Sequence, residues 1–385
     1  MPTTIAIHLG CSGRDQMAMV AGLRAYCRTQ ALDWDLHLLG RAGAGNQPPV
    51  MDAAVVLAGG QGTAAVMALL QTLPTGTPVV HISPINRWPA YPVAARIGID
   101  DRHLAAVAAR HLRDAGYRSA AVIGTFARNS PRQRRGPALL AAGKGLGMEV
   151  WHYCEPQPER SFTPSEHDQR VAEWLAGLPA PVGVFCVNDR AAVYLRQLCR
   201  HHGLGVPVPI GILGVDDDLE LCEAAPPPLS SIILPFHQLG EQAALALHRC
   251  LSGREPETAE VLVPPVRVAA RASTALIQKA TGLTGRTVRL LRRRLAQPPT
   301  QAEMAAALGV SHDTIARTVR RDLGMSPKAL QLRLRLAEAR RLVAETTQPL
   351  GRIAKKCGWA STPAFNHAFA AACGMPPGRF RRLAQ

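Results

Sequence analysis

Residues 304–319 read MAAALGVSHDTIARTV, and residues 353–369 read IAKKCGWASTPAFNHAF. The two stretches are versions of one pattern. Met304-Ala305, Gly309-Val310, Ile315 and Val319 in the first correspond to Ile353-Ala354, Gly358-Trp359, Phe365 and Phe369 in the second. The leading pairs lie 49 positions apart and the trailing ones 50, so the second copy carries one extra residue in its turn. Each copy predicts a short helix, a glycine turn and a second helix that begins after Ser or Thr. Ala305, Leu308, Val310, Ile315 and Val319 are the apolar residues that would fix the crossing of the two helices. The polar face of the second helix is then left for a major groove.

Charge supports that reading. The chain has 385 residues, 44 Lys and Arg against 28 Asp and Glu, and a formal net charge of +16. Residues 276–385 hold 20 basic and 5 acidic side chains, whereas residues 1–275 hold 24 and 23. Nearly all the excess sits behind Ala275. A uniformly basic surface is excluded, and a neutral module (1–275) followed by a module that seeks a polyanion (276–385) is expected. One helix-turn-helix pattern arises by chance in many helical proteins. Two inside a strongly basic segment are far more specific. The bland alternative is a basic helical bundle with solvated arginines, and Arg292-Arg293-Arg294 alone would be only a solvated face. Ser326-Pro327 marks the start of a helix that runs to about Ala344.

Residues 1–275 have a different texture. Short apolar runs predict strands at Thr4–Leu9, Asp35–Leu39, Ala53–Leu57, Pro78–His81, Ser119–Ile123, Gly183–Val187 and Ile210–Val215. Amphipathic stretches between them predict helices at Gln16–Thr29, Thr63–Leu73, Asp101–Ala115, Arg134–Gly145, His167–Ala176, Arg190–His201 and His237–Leu251. The fold class is α/β, a parallel sheet with crossover helices, followed by an all-α segment. Ligands in such sheets bind beyond the carboxyl ends of the strands. Three segments there are polar: Asn188-Asp189, Asp216-Asp217-Asp218, and Asn129 to Arg135. Amides, carboxylates and guanidinium groups suit sugar hydroxyls, each of which donates and accepts. Trp88 offers a flat face to a sugar ring. The competing reading makes Asp189 and Asp217 helix caps, Asp218 a solvated residue and Trp88 packing.

Other chemistry finds little support. Val55 to Gly62 is a strand entering a glycine turn, but it lacks the dinucleotide spacing and a phosphate-binding lysine. No G-x-S-x-G or other nucleophile arrangement occurs, so no catalytic residue is expected. The nine cysteines include no C-x-x-C and read as buried thiols in a reducing compartment. His201-His202 reads as a helix-end pair rather than a ligand pair. No metal and no cofactor is implied. The N-terminus has no signal-like composition and no run of 18 apolar residues occurs, so a cytoplasmic protein is expected.

Residues 3–273 resemble the periplasmic-binding-protein-like effector domain of LacI-type regulators. The resemblance rests on Arg96–Leu112 with Gly116, Val184–Arg190, Ile212–Asp217 and Pro227–Ile232. It implies two lobes, with the chain crossing near Gly116–Arg118, Ser231–Pro235 and Thr258–Val263, and an effector between them. It also implies that Asn188 and Asp216 face the ligand. Where that family usually has an arginine before the next helix, Gln133 stands here, with Arg132 and Arg134 beside it. The first loop, Cys11–Gln16, lacks the family's aromatic–x–Arg order.

Residues 298–383 resemble the AraC/XylS-type DNA-binding domain, on Ala305–Val310, Leu323–Pro327, Arg335–Val343, Pro349–Gly358 and Gly374–Pro377. The resemblance implies recognition helices at about Ser311–Arg320 and, after Ser361, Thr362–Ala371. Asp313, Ala316 and Arg317 would face bases in the first copy, and Thr362, Pro363, Asn366 and His367 in the second. Arg317 is the best candidate for guanine, whose O6 and N7 match its fork. His312, Thr314, Arg320 and Arg321 read as phosphate contacts, which position without specifying. Val319 replaces the family's Phe, and His367 replaces its second-copy Arg.

The order of the two modules is similar to that of the xylose-operon family of regulators, as are Val261–Val268, Ser273-Thr274 and Pro207–Asp217. That similarity implies a sugar-controlled transcription activator, a pentose effector (xylose foremost), a homodimer and contact with RNA polymerase. Two rivals stand beside it: a sugar-processing enzyme, and a structural DNA-binding protein whose first domain only dimerises.

Overall fold

The computed structural model describes residues 3–9, 13–39, 51–57, 70–71, 73–83, 92–123, 135–153, 163–254, 260–277, 280–373 and 375–384. The α/β half forms two sheets. Strands β1 (Thr3–Leu9), β2 (Trp34–Leu39), β3 (Ala53–Leu57), β4 (Val79–Ser83) and β5 (Ala95–Ile99) make the first, together with β11 (Glu260–Val263). Its order is β11-β5-β4-β3-β1-β2, with every neighbouring pair parallel. Strands β6 (Ser119–Ile123), β7 (Glu149–His152), β8 (Val182–Cys186), β9 (Ile210–Val215), β10 (Ser230–Ile233) and β12 (Arg267–Ala269) make the second. Its order is β12-β10-β9-β8-β6-β7, and only the β10–β12 pair is antiparallel. Strands β4, β6, β8 and β9 are buried along their whole length, as continuous apolar runs require when helices cover both faces.

Helices α1 (Arg14–Thr29) and α7 (Phe236–Leu251) pack side by side in the first lobe. Their contact is so close that only glycine fits at the crossing. A Cβ on Gly22 would lie 1.9 Å from the His237 carbonyl, and one on Gly240 would lie 1.9 Å from that of Met19. The second lobe carries α2 (Asp101–Ala115), α3 (Arg135–Gly145), α4 (Pro164–Ala176), α5 (Asp189–His201) and the short α6 (Leu219–Glu223). The bounds of α1 to α5 and of α7 agree with the expected helices to within a few residues, whereas the short α6 was not expected. The Thr63–Leu73 helix lies mostly outside the described residues.

Two expected crossing points are corrected. Helix α2 packs against α3, and its Leu112 side chain fills the space beside Gly183 of β8. The chain has therefore already changed lobes at Asp100, before α2, and not at Gly116–Arg118. The last crossing falls at 264–266, because 260–263 is itself strand β11 of the first sheet. The middle crossing lies between β10 and α7, as expected.

Beyond a short 3-10 turn (Ala272–Thr274) the chain is helical: α8 (Gly282–Arg293), α9 (Gln301–Leu308), α10 (His312–Leu323), α11 (Pro327–Glu345), α12 (Leu350–Lys356), α13 (Thr362–Cys373) and α14 (Pro377–Ala384). Met304, Leu308, Ile315, Val319 and Leu323 join Val288 and Leu291 of α8 in one buried cluster. That cluster continues through Leu276, Ile277 and Tyr117 into the α/β half. Phe365, Phe369, Ile353, Trp359 and Val343 form a separate cluster. Arg340 of α11 reaches Asp114 at the end of α2, an ion pair of 3.2 Å between the two halves.

Candidate functional site

The first helical repeat is built by strong local signals. Thr300 and Glu303 form a reciprocal capping box at the start of α9. Gly309, at φ 71°, makes the left-handed turn that ends it. Ser311 caps α10 by accepting from the Thr314 amide, and its hydroxyl also bonds the Thr314 hydroxyl at 2.9 Å. Thr314, an expected phosphate contact, and Ser311, which opens the expected recognition helix, are thus both engaged in the cap. Ile315, Val319 and Leu323 turn inward, leaving Asp313, Arg317, Arg320 and Arg321 exposed and His312 and Ala316 half-buried. Arg321 pairs with the neighbouring Asp322 at 2.8 Å. Among the described residues, Arg317 and Arg320 make no ion pair.

The second repeat has the same shape and different chemistry. Gly358, at φ 81°, makes the turn between α12 and α13. Arg335 of α11 braces it by donating to the carbonyls of Cys357 and Gly358, both at 2.7 Å, with its guanidinium 4.1 Å over the Trp359 ring. Ser361 accepts from the Ala364 amide. Pro363 and His367 are exposed, Thr362 and Asn366 half-buried. The Asn366 Oδ1 is turned inward and finds no hydrogen-bond partner among the described residues. No Lys or Arg occurs on α13. Sequence reasoning missed where the charge goes instead. Arg352 and Lys355 line a shallow cavity of about 450 Å³ with Ser361 and Thr362, at the entry to α13. The KK pair before Gly358 was the available signal. Helix α11, 19 residues long, separates the two units by roughly 28 Å of helix.

In the α/β half, the loops after β8 and β9 lie together. Asn188 caps α5, its Oδ1 accepting from the Ala191 amide at 2.9 Å. What it can offer a ligand is its NH2 group and the second lone pair of Oδ1. Asp189 is buried: its Oδ1 accepts from the Ser231 hydroxyl at 2.6 Å and its Oδ2 from the Asp218 amide at 2.8 Å. Burial pushes this carboxyl up to about 6, against the pull of those two donors. Asp189 therefore staples the two loops, and the reading of it as a helix cap is wrong. The cap of α6 is Asp218, which accepts from Leu221, so that residue is not merely solvated.

Asp216 and Asp217 both adopt left-handed backbone, at φ 111° and 56°. Such non-glycine conformations cost of order 1–3 kcal/mol each and need support. Here the Asp216 amide donates to the Ile232 carbonyl and the Asp217 amide to the Ser231 hydroxyl, both at 3.0 Å. Asp217 is not a cap; its carboxylate pairs with Arg271 at 2.8 Å. Asp216 remains half-buried at the turn. Gln133, Arg134 and Trp88 lie outside the described residues. Arg135, the last residue of the expected polar segment, is 1% exposed and bonds Asp101 at 2.9 Å and the Val187 carbonyl at 2.6 Å, directly before Asn188, a bracing role that the sequence did not reveal. An amide and a carboxylate at the ends of adjacent parallel strands can donate to and accept from the hydroxyls of a polyhydroxylated ligand.

Among the described residues no His, Cys, Asp and Glu group is placed to hold a metal, and no helix is long and apolar enough to cross a membrane. His202 is the C-cap of α5, so the His201–His202 pair does close a helix.

Residues 109–274 match the periplasmic binding protein-like domain family, and residues 304–383 match a helix-turn-helix domain family. The xylose operon regulatory protein of Escherichia coli K12 is 28% identical over 298 residues, 76% of this chain and 75% of that protein. The protein of the same name from Haemophilus influenzae is 24% identical over 216 residues, 56% of each chain. The fold is that of the xylose-binding transcription activator xylR, with a TM-score of 0.58 at 23% identity over 100% of this chain and 98% of the other.

Proposed function

We infer that this chain, a DNA-binding transcription regulator of the xylose-operon-regulator type, is controlled by a small sugar bound between its lobes, with a pentose such as xylose the first candidate. One observation carries the reading. A two-lobed α/β fold with a supported, left-handed Asp216-Asp217 turn at its strand ends leads directly into paired helix-turn-helix units. Asn188 and Asp216 are assigned to sugar hydroxyls, with Gln133, Arg134 and Trp88 completing the pocket. Residues 1–275 form the effector module and 276–385 the DNA-binding module. Arg317 reads guanine; Asp313 and Ala316 lie beside it, His312, Thr314, Arg320 and Arg321 hold phosphates, and Ser311 meets DNA at the start of the helix. Ser361, Thr362, Pro363, Asn366 and His367 meet the next groove segment. The chain acts in the cytoplasm as a homodimer, contacts RNA polymerase as an activator, and is not an enzyme.

The mechanism is linkage. A sugar that binds closed lobes better than open ones shifts their population by no more than its differential affinity. The shift reaches DNA because both binding events draw on one conformational equilibrium, and DNA must alter sugar affinity by the same factor. A thermal-shift panel of pentoses and hexoses tests the reading, since a true effector stabilises the folded chain by mass action. Xylose is expected to raise the melting temperature of the full chain, and Asp216→Ala, while folded, to abolish that rise. A panel without any stabilising sugar rejects the reading. Sugar turnover detected by product analysis favours the enzyme instead.

A further inference from the structure

Arg271 stands where the effector module ends. Its guanidinium and the Asp217 carboxylate are each only 16% exposed and lie 2.8 Å apart. Its Nη1 also donates to the Leu229 carbonyl at 3.0 Å, and Glu223 of α6 lies 3.7 Å from its Nε. Its backbone amide donates to the Ser230 hydroxyl at 2.8 Å. One residue thus pairs with the carboxylate turn after β9 and hydrogen-bonds the start of strand β10, with the exposed Glu223 of α6 alongside.

The segment that follows is fixed just as firmly. The Ser273 hydroxyl donates to the Ile212 carbonyl of β9 at 2.6 Å and accepts from the Ser230 amide at 2.8 Å. The Thr274 hydroxyl bonds that of Ser230 at 2.7 Å and the His111 Nε2 of α2 at 2.9 Å. Leu276 and Ile277 are then buried against Gly116 and share a core with Val288 and Leu291 of α8. From the Asp216-Asp217 turn to Ile277 the described chain is held by the Asp217–Arg271 ion pair and the hydroxyls of Ser273 and Thr274, and Leu276 and Ile277 then share a core with α8.

We propose that Arg271 is a positioning residue that transmits effector occupancy from the Asp216-Asp217 turn to the helix-turn-helix module. The inference rests on the assignment of Asp216 to the sugar. When the turn shifts around a ligand, Asp217 draws Arg271 with it. Arg271 is bonded into the segment that leads to α8, so the module behind it follows. Side-chain packing alone would tolerate a neutral residue here. Transmission requires the charge pair.

The test uses the full-length chain, D-xylose as probe, and a DNA duplex selected by the wild-type chain from random sequence. Two readouts are kept separate: the thermal shift given by saturating xylose, and the ratio of DNA affinities with and without it. The wild-type ratio is expected to be about tenfold. In Arg271→Ala the thermal shift persists while the ratio collapses toward one. Arg271→Lys recovers part of the ratio. Asp217→Asn mimics Arg271→Ala, and the double variant is no worse than either. An undiminished ratio in a folded, xylose-binding Arg271→Ala chain overturns the inference alone. If alanine destroys folding, the lysine and asparagine variants decide by the same ratio. Failure of xylose to shift the wild-type chain overturns the sugar assignment, and with it the inference.

Discussion

The two helix-turn-helix units share one backbone plan and divide its chemistry differently. Helix α10 of the first unit exposes Arg317, Arg320 and Arg321 over a core of Ile315, Val319 and Leu323. Helix α13 of the second has no Lys or Arg, and its core is aromatic: Phe365, Phe369, Trp359 and Phe380 meet edge to face. Its cations have moved to the preceding helix, as Arg352, Lys355 and Lys356, all exposed. Charge on a recognition helix enters the groove and can read bases. Charge on the helix before it stays near the backbone and can only grip. The expected division is a first unit that reads and a second that holds.

The largest effect should come from the aromatic core. Phe369→Ala removes a fully buried ring and should cost the second unit about 3–5 kcal/mol. Hydrogen exchange of the α12 and α13 amides under increasing denaturant measures it, and unchanged protection would deny that ring its structural part. Next is Arg317→Ala, expected to lose about 1–3 kcal/mol on the selected duplex and to relax preference at one base position. An equal loss on random DNA would make Arg317 a phosphate contact and blur the difference between the units. Lys355→Ala should weaken binding alike on all sequences and lower the salt slope by about one. A change in sequence preference would show the second unit reading bases through α12. The smallest effect belongs to His367→Ala, within about 0.5 kcal/mol on the selected duplex. A loss as large as that of Arg317→Ala would break the comparison outright.

The repeat, the helix bounds and the charge boundary were all legible because they depend on local signals: caps, glycine turns and apolar spacing. Strands β5, β7, β10, β11 and β12 escaped notice for physical reasons. Strand β10 begins with Ser230 and Ser231, polar in composition yet wholly buried, because Thr274 and Asp189 satisfy their hydroxyls. Strand β7 alternates in exposure at a sheet edge, and β12 is three residues long. The candidate site was half legible. Asp216 could be located by its place after an apolar strand. Its left-handed backbone, and the pairing of Asp217 with a residue as distant as Arg271, are set by tertiary contacts that no local pattern encodes.

The separate core of the second helix-turn-helix unit has a consequence for how the molecule comes apart. The first unit shares buried side chains with the effector half through Leu276 and Ile277, whereas the second relies on its own aromatic cluster. Cooperative unfolding follows such contiguity. Backbone amides of α12 and α13 should therefore exchange with deuterium through a partial opening that leaves α9 and α10 closed. Occupancy of the groove by the second unit then becomes a matter of how often it is folded, and temperature can loosen one end of the DNA contact while the other stays shut.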